Sequence, residues 1–312
     1  MIPILKLIRW PNLIIIALSM CFTLVFIITP GLGLQLFSAG LSILELILLI
    51  VSTILIAVGG YIINDIFDIN TDSINKQSNN IIGNKISIGT ANTLYWITTI
   101  TGVLLGVLLS YLVNQINFGL IFLFSAGLLW FYSQKYQCQP LIGNIVIGFL
   151  SSLSFGLVWL FEFYALSNDA EIFVNVQSDF QLVNRLVFIY MGFAFMTTLL
   201  REVVKDIEDY KGDNRFGCTT FTVKYGISAS KILALIVAYI SLLASLFIQY
   251  YFFRAEFYLL SSAFFIVNIL FVIIIVFLHS TSSKHSYSKL SLLIKALMII
   301  GILSMILYYF EV

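Results

Sequence analysis

The chain has 312 residues, of which 60% are hydrophobic and only 10% are charged, and its mean hydropathy is +1.03. Soluble domains carry about 25% charged residues, so the composition excludes one and identifies an integral membrane protein. A formal net charge of +1, without any basic run, gives nucleic acid no footing.

Apolar segments near the roughly 20 residues that span a bilayer as a helix fall in chain order at 12–30, 42–63, 93–113, 117–133, 141–165, 186–203, 232–250, 257–278 and 290–310. The expected fold is therefore an all-α bundle of nine transmembrane helices. A β-barrel is excluded, because the runs lack the polar/apolar alternation of barrel strands. The first segment is read as a retained helix: no A-x-A-like cleavage site follows it, and eight more spans do. Cys21, Cys138 and Cys218 have no close spacing, so neither a disulfide framework nor a zinc site is expected. His279 and His285 fall together in one short loop without carboxylate neighbours and read as solvated.

Lysines and arginines orient the chain. With the N-terminus inside, fourteen of the sixteen lie on the cytoplasmic side, and only Arg185 and Arg254 lie outside. That bias follows the positive-inside rule. The expected inside loops include two long ones, roughly 64–92 and 204–231, and the longest outside loop is 166–185. The C-terminus would be outside.

The two long inside loops each begin with a cluster of acids. Asp65, Asp68 and Asp72 close the second span, and Asp206, Asp209 and Asp213 repeat their spacing 141 residues later. At i, i+3 and i+7 the three carboxylates lie within about 60° on one helix face, and Glu202 shares the second face. Like charges on one face repel. A charge at mid-bilayer costs about 2.5–3.5 kcal/mol, less at a helix end, so six such groups need a reason. The duplication also suggests a single domain over 1–312 built from two four-helix units, about 10–135 and 140–280, with a last helix added.

Solvated helix ends would explain acidity but not a repeated register. Calcium loops of the EF-hand type need alternating oxygens and a turn glycine, which are absent. Mg²⁺ fits better, since it binds through one or two carboxylates, keeps waters and takes further ligands from substrate phosphates. Two facing clusters can thus hold a diphosphate between metal ions that neutralise its departing charge. Asn64 and Lys205 precede the two triplets at equivalent positions. The amide can fix a metal-bound water or phosphate, and the ammonium can act as a counter-charge.

On these residues the chain resembles a family. "NDIFDINTD" (64–72) is similar to the N-D-x-x-D-x-x-x-D motif of UbiA-type intramembrane prenyltransferases, and "KDIEDYKGD" (205–213) to their second motif. "RWPN" (9–12), "NK" (75–76), "YSQK" (132–135) and "LIGN" (141–144) extend the resemblance over most of the chain. The resemblance implies a helical bundle around a lipid-open cavity with a cytoplasmic cap. It also implies Mg²⁺-dependent ionisation of a polyprenyl diphosphate and attack by a membrane-embedded acceptor.

The implied metal ligands are Asp65, Asp68, Asp72, Asp206, Asp209 and Asp213. The implied substrate-binding residues are Asn12, Asn64, Lys76, Lys85, Lys135, Arg201 and Lys205. Tyr132 can shield the allylic cation with its π face, or serve only as an interfacial belt tyrosine. Gln77 and Asn79 stand where the family usually has a proline and an arginine, and Gln137 stands where a second lysine is frequent; Lys76 or Lys85 can supply the missing charge. The second motif looks most like the archaeal branch, the digeranylgeranylglyceryl phosphate synthases, which implies a prenylated glycerol phosphate as acceptor and a geranylgeranyl donor. An aromatic acceptor of quinone synthesis, such as 4-hydroxybenzoate or dihydroxynaphthoate, is the alternative. A cation transporter is the reading from another class. It is disfavoured because transport sites lie near the midplane on interrupted helices.

Overall fold

A computed structural model of the protein describes residues 2–71 and 81–312. Among the described residues nine helices are long and apolar enough to cross a membrane. They are α1 (Trp10–Gly31), α2 (Ile43–Phe67), α3 (Ile88–Leu112), α4 (Gly119–Gln134), α5 (Ile142–Leu166), α6 (Phe180–Arg215), α7 (Phe221–Arg254), α8 (Tyr258–Ser280) and α9 (Lys284–Tyr309). The only strand-like pairing among the described residues is one isolated bridge, Ile82 to Ile86.

Two helices run well past the apolar spans. The second long inside loop, expected at 204–231, is mostly helix: α6 continues to Arg215 and α7 begins at Phe221. The polar residues of these extensions leave no mark in hydropathy, so the apolar spans show only part of each helix. α7 breaks at Gly226, whose φ of 87° is open to glycine and strained for other residues. The long connection between α5 and α6, expected outside, is also partly helical, over Ala170–Val176, where Asp169 Oδ1 accepts the Glu171 and Ile172 amides. His279 and His285 lie in the last turn of α8 and the first turn of α9 rather than in a loop.

Packing follows membrane rules, in which small residues let helices approach closely. α2 and α3 pack along most of their length. A Cβ at Gly102 would lie 2.9 Å from Ile56 and 3.0 Å from the Ser52 carbonyl. α5 to α9 form a second packed group in which α6 touches α5, α7 and α9. α1 sits between the groups, against α2, α5 and α9. Outward faces stay apolar: Phe247 is 71% and Leu292 68% exposed. On a soluble protein such contiguous patches mark association; here they suit lipid.

The cysteine expectation is corrected. Cys138, just after α4, and Cys218, between α6 and α7, form a disulfide across 80 residues of sequence. The Thr219 backbone N–H (3.0 Å) and Oγ1 (2.8 Å) both donate to the Cys138 carbonyl, so the two connections are tied by backbone as well as sulfur. A partner 80 residues away leaves no spacing signal; only the fold brings the pair together. Denatured, unreduced protein should therefore titrate one thiol per chain, Cys21, and reduction should raise the count to three. Three thiols before reduction, in protein purified without reductant, would contradict the pairing.

Candidate active site

Two strained residues position the site. Arg9 (φ 51°) and Leu141 (φ 64°) each adopt the left-handed conformation immediately before a helix. That region costs an L-residue roughly 1–2 kcal/mol and persists only where the surroundings impose it. Each sets an asparagine at the third helical position, Asn12 on α1 and Asn144 on α5. Both asparagine side chains are hydrogen-bonded into the bundle interior.

The first aspartate motif stands at the end of α2. Asp65 is on the helix, and Asp68 caps it, with its N–H donating to the Asn64 carbonyl. The expected continuous helix is therefore interrupted at Asp68. Arg9 Nη2 donates to Asp65 Oδ1 at 2.8 Å and to Asn64 Oδ1 at 3.2 Å. Its guanidinium also lies 4.9 Å from the centre of the Tyr61 ring, within cation–π range. Burial would lower the Arg9 pKa, but the attraction of Asp65 and its neighbours outweighs this and holds the charge above its ordinary range. Asn64 Nδ2 donates to Asp68 Oδ2 (2.7 Å) and to Gln137 Oε1 (2.6 Å), and Gln137 Nε2 donates to Asp68 Oδ1 (3.0 Å). Both oxygens of Asp68 are thus held by neutral amides.

The second motif falls on unbroken α6, so Asp206, Asp209 and Asp213 keep the expected helical face. Asn144 Nδ2 donates to Asp206 Oδ2 at 3.0 Å. One turn earlier, Arg201 Nη1 donates to Glu202 Oε1 at 2.6 Å. Tyr132 of α4 stands between the motifs, close enough for Asp68, Asp206 and Glu202 all to act on its hydroxyl. Gly143 makes room for it, since a Cβ there would lie 3.1 Å from Tyr132 Cε2.

Beneath these groups lies a cavity of about 410 Å³ among α1, α2, α4, α5, α6 and α9. Its deeper wall is largely apolar, with Ile56, Phe122 and Leu157 far from the charged rim. The rim contains Arg9, Asn12, Asn64, Tyr132, Arg201, Glu202, Lys205 and Lys295. Of the residues expected from sequence, the structure brings Asn12, Asn64, Tyr132, Arg201 and Lys205 to this cavity, with Asp65, Asp68 and Asp206 bonded to the groups around it. Asp209 is half-buried and Asp213 buried one and two turns further along α6. Lys85 and Lys135 are exposed and do not line the cavity. Asp72 and Lys76, with Gln77 and Asn79, lie outside the described residues.

Arg9, Gln137, Asn144 and Lys295 were missed as site residues by the sequence reading. Arg9 and Asn144 sit inside the quoted "RWPN" and "LIGN" segments, so a signal was present. In sequence Gln137 is only a departure from the family pattern, and Lys295 only a charge that orients the chain.

A profile described as the UbiA prenyltransferase family matches residues 24–294. The digeranylgeranylglyceryl phosphate synthase of Sulfurisphaera tokodaii is 33% identical over 251 residues, 79% of this chain and 81% of that protein. Other curated relatives of that name match over shorter stretches, down to 54% of their length. A solved structure of a digeranylgeranylglyceryl phosphate synthase is 26% identical, with a TM-score of 0.65 over 99% of this chain and 98% of that one. A UbiA homolog from Archaeoglobus fulgidus, bound to DMAPP and Mg²⁺, shares the fold at 12% identity, with a TM-score of 0.57 over 97% of this chain and 98% of that one. The match to most of the chain, with two aspartate motifs meeting over one apolar cavity, shows that this protein belongs to the UbiA prenyltransferase family.

Proposed function

We propose that the protein transfers a geranylgeranyl group from its diphosphate to the hydroxyl of a prenylated glycerol phosphate, with Mg²⁺ as cofactor, at the cytoplasmic face of the membrane. The observation that carries the reading is the convergence of two amide-oriented aspartate motifs and several cations at the polar end of an apolar cavity. The name of the Sulfurisphaera relative supports the acceptor, and the DMAPP and Mg²⁺ bound by the Archaeoglobus homolog support the donor class and the metal.

The donor set fits Mg²⁺. Its ligands are carboxylate oxygens, and neutral amides from Asn64, Gln137 and Asn144 orient them without cancelling their charge, as outer-sphere partners of metal ligands do. Among the described residues no three acidic, histidine or cysteine side chains converge on one point. One or two carboxylates from each motif would then share an ion with water and diphosphate oxygens, the arrangement Mg²⁺ favours. Asp65, Asp68 and Asp72 would hold it on one side, and Asp206, Asp209 and Asp213 on the other. Bound there, Mg²⁺ supplies neutralisation of the charge that grows on the departing diphosphate.

The chain's own groups do the rest. Arg201 and Lys205 offer N–H donors to phosphate oxygens at the rim. The apolar wall takes up the prenyl chain and keeps water from the allylic carbon. Tyr132 presents its ring between the motifs, where it stabilises positive charge developing on that carbon. The bond from carbon to diphosphate oxygen breaks and the bond from carbon to acceptor oxygen forms. The hydroxyl proton passes to a rim carboxylate or to the released diphosphate. An alcohol is a poor nucleophile, so cleavage runs ahead of attack.

Orientation belongs to this proposal. Arg185 lies 21 residues before Asp206 on α6, roughly 30 Å at 1.5 Å per residue, so the sparse outside charges and the site occupy opposite ends. The two four-helix units are also part of it, supported by the matching left-handed residues before α1 and α5 and the asparagines three positions on.

Asp68→Ala and Asp206→Ala should each lower turnover by a factor on the order of 10²–10³, as loss of one preorganised electrostatic group does. Gln137→Ala and Asn144→Ala leave the carboxylates in place and should cost about 10–100-fold, with more Mg²⁺ needed for half-maximal rate. Near-full activity of Asp68→Ala would sink the two-motif mechanism. For orientation, cysteines placed at 85 and 174 in a Cys21→Ser background should label from the cytoplasmic and the outer side respectively; the reverse pattern overturns the assignment. For the acceptor, purified protein with Mg²⁺ and geranylgeranyl diphosphate should prenylate geranylgeranylglyceryl phosphate, read by product mass. Turnover of 4-hydroxybenzoate or dihydroxynaphthoate alone would transfer the assignment to an aromatic acceptor.

A further inference from the structure

Lys295 is the innermost charged residue of α9: Lys284 and Lys289 precede it and no charge follows before Glu311. It stands 11 residues into the helix, roughly 16 Å from its start, and faces the cavity rather than lipid. A charge within a membrane helix is costly and by default marks function. Its ammonium donates to a neutral group, Asn12 Oδ1 of α1, at 2.6 Å. Arg201 lies close enough to repel it.

Arg9 and Arg201 are already bound to Asp65 and Glu202. Lys205 and Lys295, also at the rim, enter no ion pair among the described residues. Lys205 belongs to the aspartate motif, beside the place for a diphosphate. Lys295 is on a different helix, and its excess charge awaits a second anion.

The surface below Lys295 changes character in register with it. Met298 and Ile302 follow at i+3 and i+7 on α9, and Ile15, Ile16 and Ser19 follow Asn12 at i+3, i+4 and i+7 on α1. Together with residues of α5 and α6, among them Ser151, Ser154 and Thr197, they line a crease of about 40 Å³ beside the main cavity, and Ile15, Ile16 and Met298 also line that cavity. A polar pair thus heads the apolar wall that α1 and α9 give the main cavity.

Resting on the function proposed above, we propose that Lys295 and Asn12 form the subsite for the acceptor's phosphate. The donor then keeps the aspartate motifs and the Phe122 end of the cavity. The two anions are held by separate cations, and the acceptor is selected by the last helix.

The test uses the full-length enzyme in lipid nanodiscs. Lys295→Met should raise KM for geranylgeranylglyceryl phosphate roughly ten- to hundredfold, the range for a hydrogen bond between charged groups. KM for geranylgeranyl diphosphate should stay within about twofold by the same reasoning. The dephosphorylated acceptor, a poor substrate from the start, should be unaffected, and Lys295→Arg should recover most of the loss. On the wild-type protein, amidination of Lys295 by methyl acetimidate, read by peptide mass, should be slowed by the phosphate acceptor and not by its dephosphorylated form. This readout holds even if Lys295→Met fails to fold. Equal effects on both acceptors, a raised donor KM, or an unprotected Lys295 in active enzyme would overturn this subsite and leave the proposed function standing. If the wild type makes no product from the glycerol phosphate, the functional reading fails and this inference with it.

Discussion

A carboxylate at the end of a membrane helix must be held by donors, because burial penalises an unpaired charge far more than a neutral group. Most of the architecture around the cavity answers that constraint. Arg9 supplies an ion pair to Asp65, and Asn64, Gln137 and Asn144 supply amide donors to Asp68 and Asp206. These donors come from four separate places: the start of α1, the end of α2, the turn after α4 and the start of α5. Satisfying three aspartates therefore fixes how those elements meet. The disulfide and the Thr219 hydrogen bonds then tie the turn after α4 to the end of α6, so both motifs are anchored to the same small segment, 136–138.

Nine helices and the two aspartate triplets were legible in the sequence because each leaves a local signal. Hydropathy registers a span, and i, i+3, i+7 spacing registers a face. What stayed hidden depends on distant partners. Gln137 reads as a departure until Asn64 and Asp68 are found beside it, and Cys138 reads as an ordinary residue until Cys218 arrives from 80 positions away. The continuation of α6 to Arg215 was missed for a different reason. A polar helix has no hydropathy signature, and its aspartates, asparagine and glycine are weak helix formers on their own. Lys85 and Lys135 show the opposite error: both are cations on the side of the bundle where the site opens, yet they are exposed and stand off the cavity. Charge alone says which side of a membrane a residue faces, not whether it points inward.

The left-handed residues at Arg9 and Leu141 share one logic. Each bends the chain so that a helix begins abruptly at the bundle's polar end, and the asparagine on its first turn is aimed inward. Asn144 is directed at a carboxylate and Asn12 at an ammonium. An amide suits both tasks, since it carries a donor and an acceptor on one short side chain. The same geometry thus serves opposite charges in the two halves of the molecule.

That distinction also explains why glutamine at 137 is compatible with a metal-dependent site. A lysine there would reach Asp68 as a point charge, neutralising it and competing directly with a divalent ion. Glutamine donates one hydrogen bond to Asp68 and accepts one from Asn64, which orients the carboxylate while leaving its full charge for a cation. Arg9 and Arg201 are paired with Asp65 and Glu202, whereas Lys205 and Lys295 at the cavity rim enter no ion pair among the described residues. The site thereby separates two jobs that a single basic residue would confuse: amides prepare the carboxylates, and ammonium groups wait for anions. The ninth helix contributes to the second job. Its Lys295, donating to Asn12 of α1, brings an ammonium from deep in the helix to the cavity rim.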